Sequence, residues 1–142
     1  MPHALVTNLL HCVFSTKDRK DAIPDPVMLG RYFGGVAREK QIPLILAGGT
    51  RNHVHLLIAL PPTMALANAI QDLKGNSSRW LGNSFAWQKG YSGFSVSPPS
   101  KKSVMAYING QERHHANQSF EDELISMLQK AGVEYDERYV FG

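Results

Sequence analysis

The sequence predicts an α+β fold, with a four-stranded antiparallel sheet built in the order βαββαβ, as in ferredoxin-like sheets, and two further helices. Two observations predict it. Short apolar segments typical of strands alternate with segments whose apolar residues recur at helical spacing. A tight turn, Gly48-Gly49-Thr50-Arg51-Asn52, joins two strands directly and so indicates an antiparallel hairpin. Because 142 residues suffice for a single core, we expect residues 1–142 to form one domain.

The first half of the chain supplies a strand, a helix and the hairpin. The first strand is predicted over about residues 4–14. A polar loop follows, and Pro26 then lies where the first turn of a helix tolerates proline, with Asp25 as its candidate N-cap. Residues 43–47 and 53–60 are the predicted strands of the hairpin. The helix carries apolar residues at helical spacing, namely Leu29, Tyr32, Phe33, Val36 and Ala37.

The second half supplies a helix, a strand and two more helices. Thr63 is the candidate cap of the second helix, which runs towards Trp80-Leu81, and residues 91–96 form the predicted fourth strand. A third helix begins at Ser100 or Ser103 and carries Val104, Tyr107, Ile108 and Gln111. The last helix is predicted over residues 120–131, with Gly132 as its C-cap.

Composition narrows the function only slightly. A net charge of +3 and a pI near 9.1 fit an anionic partner, but many basic proteins bind no nucleic acid. No apolar run approaches the ~20 residues that span a bilayer, and the N-terminus lacks the basic region of a signal peptide. A single cysteine, Cys12, excludes an internal disulfide and fits a reducing compartment. We therefore expect a cytoplasmic protein without membrane contact.

Two histidines on the third strand form the most informative feature. Alternation along a strand places His53, His55 and Leu57 on one face of the sheet, so the two imidazoles point the same way and can share one metal ion. The opposite face carries Val54, Leu56 and Ile58, so both faces are expected to be covered. We expect the first two helices on that apolar face and the third helix near the histidines. Alternatively, the histidines are a hydrogen-bonded pair on a half-exposed face.

The third helix carries the second feature. Residues four apart share one stripe of a helix, so Tyr107 and Gln111 project together, with His114 one turn beyond. A tyrosine with a pKa of about 10 is a poor nucleophile, unless a cation polarises its target. The amide oxygen of Gln111 can complete such a metal site. Alternatively, Tyr107 is a core aromatic residue and Gln111 lies on the surface.

Together these features resemble a known family. NHVHLLI, followed about fifty residues later by YINGQERHH, is similar to the single-tyrosine HUH transposases of small bacterial insertion sequences. FSTKDRK, ALPP, LKGNSSRWL, GYSGFSVS and SFEDELISML extend the resemblance over nearly the whole chain. It implies a DNA transposase that cleaves and rejoins single-stranded DNA at hairpin-marked ends through a 5′-phosphotyrosine intermediate. Replication initiators with the same histidine pair often carry a lysine where this chain has Gly110, which favours a transposase.

The resemblance also implies roles for individual residues. His53, His55 and Gln111 would hold a divalent metal, Mg²⁺ or Mn²⁺, and Tyr107 would attack the scissile phosphate. His114 competes with Gln111 for the place of the third ligand. Members of this family act as homodimers whose tyrosine helix can serve the partner's metal site, so action in cis and in trans both remain open.

Candidate DNA contacts come from two basic segments. Lys17 and Arg19 lie in the first loop, and Lys74 and Arg79 lie on the second helix, where cations suit phosphate oxygens. Each of these residues can equally be a solvated surface charge.

Two other functions compete with transposition. One is a domesticated relative that binds DNA hairpins without mobility. The other is an unrelated metallohydrolase that uses the histidine pair. The hydrolase is disfavoured because no aspartate follows His55 at the short spacing of the familiar histidine-rich hydrolase motif.

Overall fold

A computed structural model describes residues 4–141 as an antiparallel sheet with helices on both faces. The four strands are β1 (Leu9–Ser15), β2 (Leu44–Gly49), β3 (His53–Ala59) and β4 (Ser92–Val96). The helices are α1 (Pro26–Glu39), α2 (Leu66–Leu81), α3 (Lys101–Asn109), the short α4 (Gln111–His114) and α5 (Phe120–Ala131). None of the helices in the described part of the chain has the length and apolar character that crossing a membrane demands.

The sheet has the strand order β2-β3-β1-β4. β3 pairs antiparallel with β1, from Leu9 opposite Ala59 to Ser15 opposite His53, and antiparallel with β2 on its other side. β1 and β2 therefore run parallel to each other, with β3 between them and α1 as the connection. This is the split βαβ arrangement. The predicted fold class, an α+β ferredoxin-like βαββαβ sheet with helices added at the C-terminal side, is confirmed.

One face of the sheet forms the main hydrophobic core. Its strand residues alternate with those of the other face and pack against apolar residues of α1 and α2, as expected. The fully or nearly fully buried members include Cys12, Phe14, Val54, Leu56 and Ile58 from the strands, with Leu29, Phe33, Ile70 and Leu73 from the helices. Burial of this much apolar surface is the main force that holds the two helices on the sheet.

The other face is covered by the C-terminal helices. Val13 of β1 packs against Phe120, Leu124 and Leu128 of α5 in a smaller hydrophobic cluster, and α3 lies across β2 and β3. The expected position of the third helix is therefore confirmed. His53 and His55 belong to this face, and both are fully buried beneath the helices. The expectation that this face of the sheet is covered is confirmed, and the alternative that the two histidines lie on a half-exposed face is wrong.

Local capping signals fix some helix ends and fail at others. Asp25 accepts hydrogen bonds from the amides of Val27 and Met28 at the start of α1, as predicted. Gly132 ends α5 with a left-handed backbone (φ 69°), also as predicted. The cap predicted at Thr63 is wrong, because the N-cap position of α2 is Ala65, two residues later, and no side chain caps this helix. Ser100 occupies the N-cap position of α3, but its hydroxyl makes no capping hydrogen bond and instead accepts one from the hydroxyl of Ser97 at 2.9 Å.

Two other boundaries differ from the prediction. β1 begins at Leu9 rather than near residue 4. β2 continues through Gly48 and Gly49, which the sequence places in the turn, and Gly48 lies directly beneath the third helix. A Cβ atom added at Gly48 would lie 2.6 Å from the carbonyl oxygen of Ile108. The backbone of α3 can therefore lie directly on β2 only because this position lacks a side chain.

Candidate active site

The two histidines of β3 direct their Nε2 atoms at oxygen atoms from the C-terminal helices. His53 Nε2 lies 2.9 Å from Oε1 of Gln111, and His55 Nε2 lies 3.0 Å from Oε1 of Glu123. Gln111, at the start of α4, is buried together with both histidines. The three residues that were predicted to hold a metal are thus brought together in one buried site.

Two further residues complete what we call the ligand cluster: His53, His55, Gln111, His115 and Glu123. His115 Nε2 lies 3.0 Å from Oε1 of Gln111 and 3.1 Å from Oε1 of Glu123. One ligand atom from each of the three histidines and Glu123 falls within 4.8 Å of the other three. Such convergence of imidazole nitrogens and acidic oxygens is the arrangement that binds a cation.

Hydrogen bonds on the far side of the rings prepare two Nε2 atoms for a cation. His115 Nδ1 lies 2.6 Å from the carbonyl oxygen of Gln118, which can only accept, so that nitrogen carries the proton. His53 Nδ1 lies 2.8 Å from the Asn52 side-chain oxygen and 2.9 Å from the Thr50 hydroxyl, and in the tautomer with its proton on Nδ1 the ring donates to that oxygen. In a neutral imidazole the other nitrogen, Nε2, then presents a lone pair.

The side chain of Gln111 is oriented with its oxygen towards the histidines. Its amide nitrogen donates to the Tyr107 carbonyl oxygen at 3.3 Å, so its oxygen, itself an acceptor, faces His53 and His115. Burial, followed by the neighbouring His55, lowers the pKa of His53 to about 3, so this ring is neutral at pH 7. When the proton of His53 is on Nδ1, the lone pairs of His53 Nε2 and Gln111 Oε1 face each other at 2.9 Å, and a cation bound to both atoms would stabilise this arrangement.

Tyr107, on α3, reaches the cluster from one side. Its hydroxyl donates to Oε2 of Glu123 and lies 3.5 Å from Nε2 of His114, and its ring centroid is 5.7 Å from that of His55. Burial, the hydrogen bond to Glu123 and its negative charge raise the pKa of Tyr107, so the phenol is protonated at neutral pH. The predicted proximity of Tyr107 and Gln111 is present, although the helix is interrupted at Gly110 between them.

Glu123 joins the tyrosine to the histidines. Burial raises the pKa of its carboxyl group, but the hydrogen bond and charge of His55, with the hydroxyl of Tyr107, outweigh burial and hold the pKa well below its ordinary value. Glu123 is therefore a carboxylate at neutral pH, with the polar partners that a buried charge requires.

Sequence reasoning missed Glu123 and left His115 without a role. Glu123 lies on α5 between Phe120 and Leu124, on the buried stripe of that helix. The sequence signal that could have identified Glu123 is a charged residue at a position where the helical spacing predicts an apolar one. His114, the predicted alternative to Gln111, lies 3.5 Å from Oε2 of Glu123, on the tyrosine side of the carboxylate, whereas His115 faces Oε1.

The model of a protein family described as "Transposase IS200 like" matches residues 5–111, three-quarters of the chain. The chain belongs to the IS200-like transposase family. The matched range includes His53, His55, Tyr107 and Gln111, and it ends before His115 and Glu123. Membership of this family sets aside a metallohydrolase unrelated to transposases. Among curated proteins, none matches the chain in sequence.

Solved structures share the fold of this IS200-like family member. A candidate transposase from Deinococcus radiodurans R1 is 21% identical, with a TM-score of 0.61 over 76% of this chain and 93% of that one. A REP-associated tyrosine transposase bound to a REP hairpin is 13% identical, with a TM-score of 0.56 over 76% of this chain and 68% of that one.

The four candidate DNA contacts of this IS200-like chain have different surroundings. Lys17 is exposed on the first loop, and Arg79 is exposed on α2, where it donates to the side chain of Asn76 at 3.0 Å. Lys74 donates to the carbonyl oxygens of Gln88 and Gly90 at 2.7 and 2.9 Å. Its ammonium also lies 5.4 Å from the ring of Phe14, on the face of the sheet opposite the ligand cluster.

Arg19 is held by the C-terminal segment. Its guanidinium donates to the carbonyl oxygen of Phe141 at 3.0 Å and lies 5.1 Å from the centre of that residue's ring. Its Nε atom also lies 3.9 Å from the carboxylate of Glu121 on α5. These contacts give Arg19 a role in packing the first loop against the C-terminal end of the chain.

Proposed function

We propose that this IS200-like transposase cleaves and rejoins single-stranded DNA at hairpin-marked ends through a 5′-phosphotyrosine intermediate. One observation carries the proposal. The hydroxyl of Tyr107 meets the same buried carboxylate as the histidine pair, so a nucleophile and a candidate cation site are adjacent. The hairpin bound by the structurally similar REP-associated transposase supports DNA of this kind as the partner.

The ligand cluster suits a divalent cation, in keeping with the predicted Mg²⁺ or Mn²⁺. His53 and His55 would bind it through Nε2, and Gln111 would bind it through Oε1. Carboxylate and amide oxygens favour Mg²⁺ and Mn²⁺, although imidazoles also suit zinc. When bound, the cation would stabilise negative charge that develops on the scissile phosphate.

The proposed reaction exchanges one ester for another. The oxygen of Tyr107 attacks the phosphorus atom, and the bond from phosphorus to the 3′ oxygen breaks. The phenolic proton is released to solvent and the leaving 3′ oxygen takes a proton from solvent, so the products are a 5′-phosphotyrosine and a 3′-hydroxyl. Attack of a 3′-hydroxyl on the phosphotyrosine reverses the chemistry and rejoins DNA, without an external energy source, because the ester bond is conserved.

The contacts within one chain favour action in cis. The tyrosine hydroxyl already reaches the carboxylate that contacts His53 and His55 of the same chain, with no rearrangement of α3. The homodimer expected for the family, and the cytoplasm as its location, remain parts of this proposal.

The proposal is tested with labelled single-stranded hairpin DNA and Mn²⁺. We expect a protein–DNA adduct that survives denaturation. Tyr107→Phe should form none, whereas Tyr139→Phe, at a tyrosine that is 66% exposed, should react like the unmodified chain. An adduct that persists in Tyr107→Phe would refute the tyrosine mechanism. Hairpin binding without any adduct would instead indicate the domesticated, binding-only relative.

A further inference from the structure

We infer that Glu123 is an additional ligand of the cation and also the positioning residue for the Tyr107 hydroxyl. The inference rests on the proposed function, since it concerns the same site. It adds a ligand to the histidine pair and Gln111, and this ligand lies on α5, which follows the segment that the family model matches.

The position of Glu123 is built into the fold. Its side chain is 1% exposed, on a helix whose neighbouring residues Phe120, Leu124 and Leu128 are packed against the sheet. A carboxylate buried in this way costs free energy unless charged or hydrogen-bonding partners surround it. The helix therefore delivers the carboxylate to a fixed place that a surface side chain could not keep.

The two oxygens of Glu123 face different groups. Oε1 lies 3.0 Å from Nε2 of His55, 3.1 Å from that of His115 and 3.5 Å from that of His53. Oε2 instead accepts the hydrogen bond of the Tyr107 hydroxyl. One carboxylate thus touches both the candidate ligands and the nucleophile, and the two contacts use different atoms.

A divalent cation in this buried site also needs a negatively charged ligand. Neutral imidazoles and the amide of Gln111 give a divalent cation no compensating charge in a buried site, where charges are poorly solvated. Glu123 is the buried acidic residue of the described chain, and its oxygen is a ligand type that Mg²⁺ and Mn²⁺ prefer. The same carboxylate would hold the tyrosine beside the scissile phosphate, where a displacement of about 1 Å can cost roughly 100-fold in rate.

The first test is calorimetric titration of the DNA-free chain with Mn²⁺. Glu123→Gln should weaken Mn²⁺ binding by about tenfold or more, whereas Glu121→Gln, the same change two residues away on α5, should bind normally. His53→Ala should also bind weakly. If His53→Ala binds weakly while Glu123→Gln binds normally, Glu123 is not a ligand and the proposed metal site stands. If His53→Ala binds normally, the proposed metal site itself is wrong.

The second test separates positioning from metal affinity. At Mn²⁺ concentrations that saturate Glu123→Gln, adduct formation should remain roughly tenfold or more below that of the unmodified chain, because Tyr107 is no longer held. Full recovery at saturation would overturn the positioning role. Should Glu123→Gln fail to fold, Glu123→Asp is measured in both tests. It keeps the charge but withdraws the oxygens, so weaker binding and slower adduct formation are expected, and normal values for both would overturn the inference.

Discussion

Nε2 of His11 lies 2.7 Å from Nδ1 of His55, so a histidine on β1 contacts the far side of a candidate ligand on β3. Burial and the charge of His55 lower the pKa of His11 to about 3, so His11 is neutral at pH 7. When His55 binds a cation through Nε2, its Nδ1 must carry the proton, and His11 must accept it. The contact therefore selects the tautomer of His55 that a metal requires.

Removing this acceptor should weaken metal binding. His11→Leu should reduce Mn²⁺ affinity roughly 10- to 100-fold, the usual effect of losing a partner behind a metal ligand. His11→Gln, whose side-chain oxygen can still accept from His55, should retain most of the affinity. Calorimetric titration with Mn²⁺ measures both variants. Equal affinities for His11→Leu and the unmodified chain would contradict this role.

A methyl group at Gly48 should displace the tyrosine helix. The added Cβ would lie 2.6 Å from the Ile108 carbonyl oxygen, so Gly48→Ala should destabilise the fold by about 1–3 kcal/mol and slow adduct formation by moving Tyr107. Gly35→Ala is the matched control, because nothing lies within 4 Å of its added methyl group. That variant should be stabilised by roughly 0.5–1 kcal/mol, as expected inside a helix. Urea unfolding that ranks the two variants in the opposite order would exclude this packing.

Stability without metal should fall as the pH drops from 7 to 5. His11 and His53 have folded pKa values near 3 and ordinary values of 6.5, so between these limits the unfolded chain binds more protons. Stability therefore rises with pH in this window, by on the order of 1–2 kcal/mol per histidine from pH 5 to 7. The depressed pKa of Glu123 acts below this window. Urea unfolding in EDTA should show this difference in unfolding free energy between pH 5 and pH 7. In His11→Gln the difference should be roughly half as large. Equal stability at both pH values would argue against buried neutral histidines.

Two basic residues of the first loop should behave differently. Arg19→Ala should reduce stability by about 1 kcal/mol, because it loses the hydrogen bond to Phe141 and the contact with that ring. Lys17→Ala, at an exposed position, should leave stability unchanged. If Lys17 contacts phosphate, its loss should weaken hairpin binding. The slope of the logarithm of the binding constant against the logarithm of salt concentration should also fall by about one unit. Thermal unfolding and filter binding at several salt concentrations check both expectations, and unchanged hairpin binding would remove Lys17 from the DNA contacts.

Local patterns predicted most of the fold. Strand alternation placed His53 and His55 on one face, and the Asp25-Pro26 pair and Gly132 marked helix ends correctly. These signals depend on residues close together in sequence. The cap at Thr63 failed because the chain after Pro62 makes a turn, and α2 starts without a side-chain cap. No local pattern distinguishes these two outcomes.

The site was only partly predictable, for a different reason. Tyr107 and Gln111 are neighbours on the helical segment, so spacing alone brought them together. Glu123 arrives from a separate helix, and its contact with His55 joins positions 68 residues apart. The register of α5 against the sheet decides which of its side chains faces the histidines, and that register follows from packing around Val13.

The buried position of Cys12 has a practical consequence. It is the single cysteine of the sequence, and burial raises the pKa of its thiol to about 12, so it is protonated and shielded at neutral pH. A cysteine introduced at an exposed residue such as Val133 would then be the thiol that a maleimide dye or spin label reaches. Site-specific labelling, and distance measurements between two copies in solution, can therefore begin from the native chain.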